Sequence, residues 1–230
     1  MIQDPKTARK IIAQRIALEL HDGDIVNLGI GIPTMVANFI PKGIHVHFQS
    51  ENGILGMGPA PAPGMEHPQL NNAGGMPITF LPGAAAFDSA TSFGLIRGRH
   101  VDITVLGGLE VDQRGLLANW MVPGKMIPGM GGAMDLVTGA KKVIVAMTHT
   151  NKDGSPKIIP ECTLPLTSIR PVHLIVTEMA VIAVEPEIGL VLKEIAPQTS
   201  LEEVRKATTA QLMVSDSLTV MEVQLSSASE

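Results

Sequence analysis

Apolar residues recur at helical spacing near the start of the chain. Ile12, Ile16 and Leu20 follow one another at every fourth position, which predicts one buried face of a helix. The helix begins at Asp4-Pro5, because aspartate is a favoured N-cap and proline is tolerated in the first helical turn. The stretch HDGD that follows Leu20 ends this helix.

A period of two replaces the helical spacing in IHVHFQ (residues 44–49), where apolar side chains alternate with histidine and glutamine. This alternation predicts a strand. The strand ends at Ser50, so Glu51 lies at its carboxyl end. Further apolar stretches predict strands at 25–33, 78–83, 101–112, 143–148, 173–184 and 189–195.

Helical stretches lie between these strands, at 34–40, 86–98 and just after the glycines at 131–132. Ser200 and Glu203 form a capping box ahead of a closing helix over 204–211. Strands that alternate with helices predict an α/β fold with an open, largely parallel central sheet and flanking helices. We expect a single domain over 1–230, with 1–6 and 213–230 peripheral or frayed.

The composition narrows the class of protein. Hydrophobic residues make up 45% of the 230 residues and charged residues only 17%, which favours a surface buried against another subunit over a monomer rich in glycine and alanine. A net charge of −5 and an aromatic content of 3% argue against nucleic-acid binding. Cys162 is the only cysteine, and neither a signal peptide nor a membrane span is visible, so we expect a cytoplasmic protein.

Glu51 is the most informative candidate for chemistry. In open α/β sheets, ligands bind at the carboxyl ends of strands, and a carboxylate there can act as a base or a covalent nucleophile. The alternative is a solvated residue on an Asn-Gly turn. Gly131 and Gly132 precede a helix, where free amides can stabilise an oxyanion or a phosphate. LGIGIP (28–33) is not a dinucleotide fingerprint, because Thr34 occupies its last glycine position.

Other polar residues carry weaker signals. His45 and His47 share one strand face, but no third ligand stands at a telling spacing, so we expect no metal site. His149 is interpreted as a structural or surface histidine. Lys141 and Lys142 are expected to cap the carboxyl end of the preceding helix.

Several long motifs together resemble the β subunit of family I CoA-transferases. They are FQSENGILG, NLGIGIPT, LPGAA, SFGLIRG, LANWMVPGKMIPGMGGAMDLVTG and KDGSPKI…CTLPLT, and they stand in that family's order over roughly residues 7 to 212. The resemblance is closest to the β subunits of acetate- or succinate-dependent acetoacetate CoA-transferases. One departure is Arg99, where the family commonly has glycine.

The resemblance implies a role for several residues. Glu51 would be the nucleophile that forms a glutamyl-CoA thioester, and the amide of Gly132 would stabilise the oxyanion. Coenzyme A would be a substrate, with no permanently bound cofactor and no metal. The residues implied near the CoA chain are Asn27, Gly107, Gly108, Asn119, Met130 and Gly131, with Gly107 and Gly108 leaving room for pantetheine.

The resemblance also implies a partner. In the family's fused enzymes this region is the C-terminal half, so we expect an α subunit in an α2β2 assembly, with acyl-CoA and small carboxylic or 3-oxo acids as substrates. The motifs do not separate succinyl-, acetyl- and butyryl-CoA donors. A sugar-phosphate isomerase or a non-catalytic regulatory subunit of the same broad fold is the alternative.

Overall fold

The computed structural model describes residues 4–124 and 129–224. The helices are α1 (Pro5–Ala17), α2 (Ser89–Arg97), α3 (Ala133–Gly139) and α4 (Leu201–Ala207), and Pro33–Phe39 forms a 3₁₀ helix. The strands are β1 (Ile25–Leu28), β2 (His47–Ser50), β3 (Ile54–Met57), β4 (Phe80–Ala86), β5 (Ile103–Gly107), β6 (Glu110–Asp112), β7 (Leu117–Ala118), β8 (Lys142–Ala146), β9 (Ile158–Ile159), β10 (Leu174–Val176), β11 (Ala180–Glu185), β12 (Gly189–Ile195) and β13 (Leu212–Val220).

Within the described residues, ten strands form one sheet in the order β13-β12-β11-β10-β8-β5-β1-β2-β3-β4. The middle of the sheet, from β10 to β2, is parallel throughout. The hairpins β2-β3-β4 and β10-β11-β12 add antiparallel strands on either side. Strands β7, β6 and β9 form a small second sheet. The predicted α/β fold with a largely parallel central sheet is confirmed.

Both faces of the sheet are buried, because alternate residues of the central strands enter two different hydrophobic clusters. In β8, Val143 and Val145 join one cluster, whereas Ile144 and Ala146 join the other. The first cluster includes Ile96 of α2, Val137 of α3 and Val204 of α4; the second includes Ile12 and Ile16 of α1. Helices therefore cover the sheet on both sides, and the carboxyl ends of the parallel strands stay open.

The predicted start of α1 is confirmed. The Asp4 carboxylate accepts the backbone N–H groups of Lys6 and Thr7 at 3.2 and 3.0 Å, and Pro5 is the first helical residue. Ile12 and Ile16 are fully buried. The helix ends at Ala17, before the predicted stop.

The capping box of α4 is also confirmed. Glu203 N–H donates to the Ser200 hydroxyl at 3.2 Å, and Ser200 N–H donates to the Glu203 carboxylate at 2.8 Å. The segment after residue 212, expected to be peripheral or frayed, pairs with β12 as the edge strand of the sheet as far as Val220. Residues 1–3 and 225–230 lie outside the described residues, and the division into domains stays a prediction.

Several predicted strands have different limits in the structure. The strand over 173–184 is two strands, β10 and β11, and the strand over 25–33 ends at Leu28. The strand over 101–112 is two strands, since β5 leaves the large sheet at Gly107 and β6 begins the small one at Glu110. The strand predicted from Ile44 begins only at His47. The prediction that matters for the site, that this strand ends at Ser50, is confirmed.

The expectation that Lys141 and Lys142 cap a helix is wrong. The Lys141 ammonium lies 2.6 Å from Asp102, and the Lys142 ammonium lies 2.6 Å from Glu19. Arg170 caps α3 instead: its guanidinium donates to the backbone carbonyls of Val137, Thr138 and Ala140 at 2.6–3.0 Å. The cap of α3 therefore comes from a residue about 30 positions later in the chain and not from the lysines that follow the helix.

Arg99 lies where α2 ends, in the left-handed region with φ 62°. Arg99 N–H donates to Ile96 O and His100 N–H to Leu95 O, which is the Schellman pattern. The left-handed residue of this pattern is usually glycine, because a side chain there crowds the backbone. The departure at Arg99 is therefore a strained helix terminus.

We expect Arg99→Gly to raise the free energy of unfolding by about 0.5–1 kcal/mol, since relief of the left-handed strain exceeds the added flexibility of the unfolded chain. Urea unfolding of the isolated chain measures this. His100→Gly, in the same turn without a positive φ, is the matched control and should lower stability. An unchanged or lowered stability of Arg99→Gly would contradict the assignment.

Candidate active site

A sharp turn after β2 presents Glu51. Gly53 adopts φ 114°, and its N–H donates to Ser50 O at 3.0 Å. A Cβ atom on Gly53 would lie 2.0 Å from the carbonyl oxygen of Phe87, so only glycine fits. The Asn-Gly turn is therefore packed tightly against the segment before α2. It places Glu51 at the carboxyl end of a central strand.

A chain of hydrogen bonds positions the Glu51 side chain. Asn27 Nδ2 donates to Glu51 Oε2 at 3.1 Å and to Gln49 Oε1 at 2.8 Å. Gln49 Nε2 in turn donates to Ser92 Oγ of α2 at 2.9 Å. All three of these polar residues, Asn27, Gln49 and Ser92, are buried. The Glu51 carboxylate is therefore held by a hydrogen-bond network in the protein interior.

Asn27 has one free acceptor. Its Oδ1 is buried and finds no hydrogen-bond partner among the described residues. The family motifs implied a place for Asn27 near the CoA chain; in the structure its amide contacts Glu51 directly. Gln49 and Ser92 were not predicted as site residues, although a buried strand that contains asparagine, IVNL, signals a polar partner nearby.

Gly132 lies beside the Glu51 side chain. A Cβ atom on Gly132 would lie 3.2 Å from Glu51 Cγ and 3.5 Å from Glu51 Oε1. Gly132 is the N-cap of α3, and no acceptor for its N–H is found within residues 4–124 and 129–224. Gly131 precedes it with φ 54°, and Met130 O accepts the Ala133 N–H at 3.2 Å. Two motifs that are 81 positions apart in the numbering thus meet at one carboxylate.

The remaining predicted residues lie along the same sheet edge. Asn119 Nδ2 donates to Gly107 O at 3.1 Å, and Asn119 Oδ1 accepts the Thr167 hydroxyl at 2.7 Å. A Cβ atom on Gly107 would meet nothing within 4 Å. A Cβ atom on Gly108 would lie 2.8 Å from both Met147 Sδ and Val145 Cγ1, so on that side the core leaves space only for glycine.

A groove of about 1020 Å³ runs beside Glu51 along β2, β3 and β4. Its walls are mainly apolar, and several large side chains there are exposed, including Ile30 (77%) and Met76 (62%). Such an exposed apolar surface is typical of ligand or subunit contacts.

Within the described ranges no group of three or more His, Cys, Asp or Glu residues could hold a metal ion. His45 lies 3.3 Å from the Asp22 carboxylate at the surface. His149 is fully buried between the hydroxyls of Thr177 and Thr208 at 2.9 and 2.8 Å, and burial lowers its pKa to about 4. The ring is neutral and structural.

Cys162 is not placed to act as a nucleophile. Burial, reinforced by the nearby Asp112, raises the pKa of its thiol to about 12, so it stays protonated at neutral pH.

No helix in the described part of the chain is long and apolar enough to cross a bilayer.

Comparisons with known proteins show which family the chain resembles. The family model described as Coenzyme A transferase matches residues 9–207. The beta chain of the acetate CoA-transferase of Escherichia coli K12 is 58% identical over 92% of this chain and 96% of its own length. One of the subunits of the probable succinyl-CoA:3-ketoacid coenzyme A transferase of Bacillus subtilis 168 is 51% identical over 93% of this chain and 98% of its own length.

A solved structure shares the architecture. The acyl-CoA transferase apoenzyme of Escherichia coli O157:H7 superposes with a TM-score of 0.76 at 25% identity, over 96% of this chain and 44% of that enzyme. This chain therefore spans less than half of that larger protein. The resemblance drawn from the motifs is confirmed, and the chain belongs to the coenzyme A transferase family.

Proposed function

We propose that this chain is the subunit that carries the catalytic glutamate of a CoA-transferase, moving CoA between succinyl-CoA or acetyl-CoA and a 3-oxoacid such as acetoacetate. The observation that carries the proposal is the geometry at Glu51. A carboxylate stands at a strand end, fixed by Asn27, and Gly132 lies so close that a Cβ atom on it would be 3.2 Å from Glu51 Cγ.

The reaction begins when a Glu51 oxygen attacks the thioester carbonyl of the acyl-CoA. The tetrahedral intermediate expels the CoA thiolate and leaves a mixed anhydride. The thiolate then attacks the glutamyl carbonyl, so that the acid leaves as a carboxylate and a glutamyl-CoA thioester remains. An incoming acid reverses both steps, and Glu51 returns to its starting state.

Glutamate suits this chemistry because it belongs to the same chemical class as the substrates. One carboxylate replaces another across a thioester, so the exchange is close to isoenergetic and needs neither ATP nor a metal. CoA enters as a substrate, and no permanently bound cofactor is proposed.

The neighbours of Glu51 divide the remaining work. Asn27 orients the attacking oxygen through its 3.1 Å hydrogen bond. The N–H of Gly132 stabilises the oxyanion of each tetrahedral intermediate, as preorganised amides do in acyl transfer. The proposed path of the CoA chain is lined by Asn119, Met130, Gly131, Gly107 and Gly108.

A second polypeptide completes the site. Acyl transfer commonly uses two oxyanion donors, and Gly132 supplies one. We propose that an α subunit supplies the second donor and part of the acid pocket, in a cytoplasmic α2β2 assembly whose closed two-fold symmetry is the commonest kind. The exposed apolar groove beside Glu51 is consistent with a covered surface. The named relatives favour this function over the isomerase or regulatory alternative.

Kinetics of the reconstituted α-β complex test the proposal. Acetyl-, succinyl- and butyryl-CoA are each offered with acetoacetate. A covalent enzyme–CoA intermediate gives parallel lines in double-reciprocal plots, whatever metal or ATP is added. The chain without the α subunit should give no transfer. Intersecting lines, or full turnover by the lone chain, would contradict the mechanism or the partner.

A further inference from the structure

A second, smaller cavity lies on the same sheet edge as Glu51. Its volume is about 280 Å³, and it sits beyond the carboxyl ends of β1, β5 and β8. Backbone of Gly107 and Gly108 forms one wall, Ala146 to Thr148 another, and Arg9 and Lys157 bring two positive charges. Carboxyl ends of parallel strands are where open α/β sheets bind ligands.

Lys157 is the unusual member of this lining. The residue is only 8% exposed, and its backbone is held on both sides. Its N–H donates to His149 O at 3.3 Å, and its carbonyl accepts the Val111 N–H at 2.9 Å. The side chain therefore starts from a fixed point, although it belongs to a type of residue that is seldom buried without a partner.

The Lys157 ammonium has three donors, and none meets a hydrogen-bond acceptor or an ion-pair partner among the described residues. Glu178 is the nearest counter-charge by its electrostatic effect, but its carboxylate already accepts the backbone N–H of His149 at 3.0 Å. Both ring nitrogens of His149 are taken by threonine hydroxyls. Burial lowers the pKa of Lys157 to about 8, with Glu178 opposing the shift, so the amine is mostly charged at neutral pH.

The Lys157 residue is largely buried but lines the cavity, so its ammonium is left to water or to a ligand that enters the cavity. We propose that Lys157 donates a hydrogen bond to an amide carbonyl of the pantetheine chain of the acyl-CoA and thereby helps to bind the thioester. This inference rests on the proposed function and adds to it a binding residue that the family motifs did not imply.

The sheet order supports the pantetheine over the phosphates of CoA. Strands β2, β1 and β5 are neighbours, so the cavity centred on β5 lies about 10 Å from the end of β2, at two strand spacings. If the thioester sulfur lies at Glu51 and the CoA chain runs along this edge of the sheet, the pantetheine amides reach the cavity. The phosphates of CoA lie farther from the thioester than the pantetheine amides do. The other cation of the cavity, Arg9, is exposed at its rim.

The test uses the reconstituted complex with acetoacetyl-CoA and acetoacetyl-pantetheine as donors, and the better of acetate and succinate as acceptor. Lys157→Met removes the donor at similar volume. Lys152→Met, an exposed lysine on the preceding loop, is the matched control. Lys157→Gln is a second variant that keeps an uncharged donor, in case the methionine variant does not fold.

We expect Lys157→Met to lower kcat/KM about 10- to 100-fold for both donors, as loss of a charged hydrogen bond does. The kcat/KM for the acid acceptor should change far less, because the enzyme–CoA intermediate already holds the pantetheine. Lys157→Gln should lie between wild type and Lys157→Met, and Lys152→Met should match wild type.

Three results would overturn the inference in a complex whose wild type is active. Unchanged kcat/KM for both donors would mean that Lys157 does not touch the substrate. A loss with acetoacetyl-CoA alone would move the contact to the phosphates. Equal losses for the donor and the acid would indicate a structural role. A wild-type complex without transfer would instead remove the proposed function, and this inference with it.

Discussion

Replacing Glu51 with glutamine is expected to lower kcat by about 10⁴-fold or more while the fold persists, an effect of the size seen when a covalent nucleophile is removed. The amide is nearly isosteric with the carboxylate, so the packing against Gly132 is kept. It is a poor nucleophile, however, and cannot form the mixed anhydride. The effect therefore reports chemistry rather than structure.

Covalent trapping locates the nucleophile independently. Incubation of the wild-type complex with acetoacetyl-CoA, followed by borohydride, should reduce a thioester at Glu51, and a peptide map identifies the site. Glu161→Gln, at an exposed glutamate outside the site, is the control and should keep full activity. Modification of a different residue, or near-normal turnover by Glu51→Gln, would remove Glu51 from its role.

Gly132→Val is expected to lower kcat about 10²- to 10³-fold, the usual cost of losing one oxyanion donor. The backbone at Gly132 has φ −83°, which other residues adopt, so strain is not the cause. The first atom of the added side chain, Cβ, would already lie 3.2–3.5 Å from side-chain atoms of Glu51. A branched side chain must displace the carboxylate or the amide.

Steady-state kinetics separate catalysis from binding in this variant. A loss mainly in kcat, with CoA affinity changed little, is expected if the amide acts in the transition state. Gly94→Val is the matched control, because a Cβ atom there meets nothing within 4 Å. If only KM rose in Gly132→Val, Gly132 would be a spacer for the substrate and not an oxyanion donor.

Features set by neighbours in the sequence were predictable. The N-cap at Asp4, the capping box at Ser200 and Glu203, and the strand that ends before Glu51 each depend on a few consecutive residues. The hydrogen bonds of the two caps are local, and the strand is marked by a local alternation of apolar and polar residues, so a short stretch of sequence is sufficient to predict each of them.

Predictions failed where distant segments compete for the same group. Lysines that follow a helix looked like its cap, yet Arg170 from another loop fills that place. A continuous apolar stretch looked like one strand, yet it is divided between two sheets at Gly107. The spacing of residues along the chain does not show which distant segment will contact a given residue in the folded protein.

The fold class, the turn that carries Glu51 and, through the motifs, the family all follow from the order of the residues alone. The groups that surround the Glu51 carboxylate do not, because they come from separate elements. Asn27, Gln49 and Ser92 belong to β1, β2 and α2, and Gly132 caps α3, so their meeting depends on strand order and helix packing. The same holds for Lys157, whose missing partner becomes evident only once burial is known, because an unsatisfied donor is a property of three-dimensional surroundings.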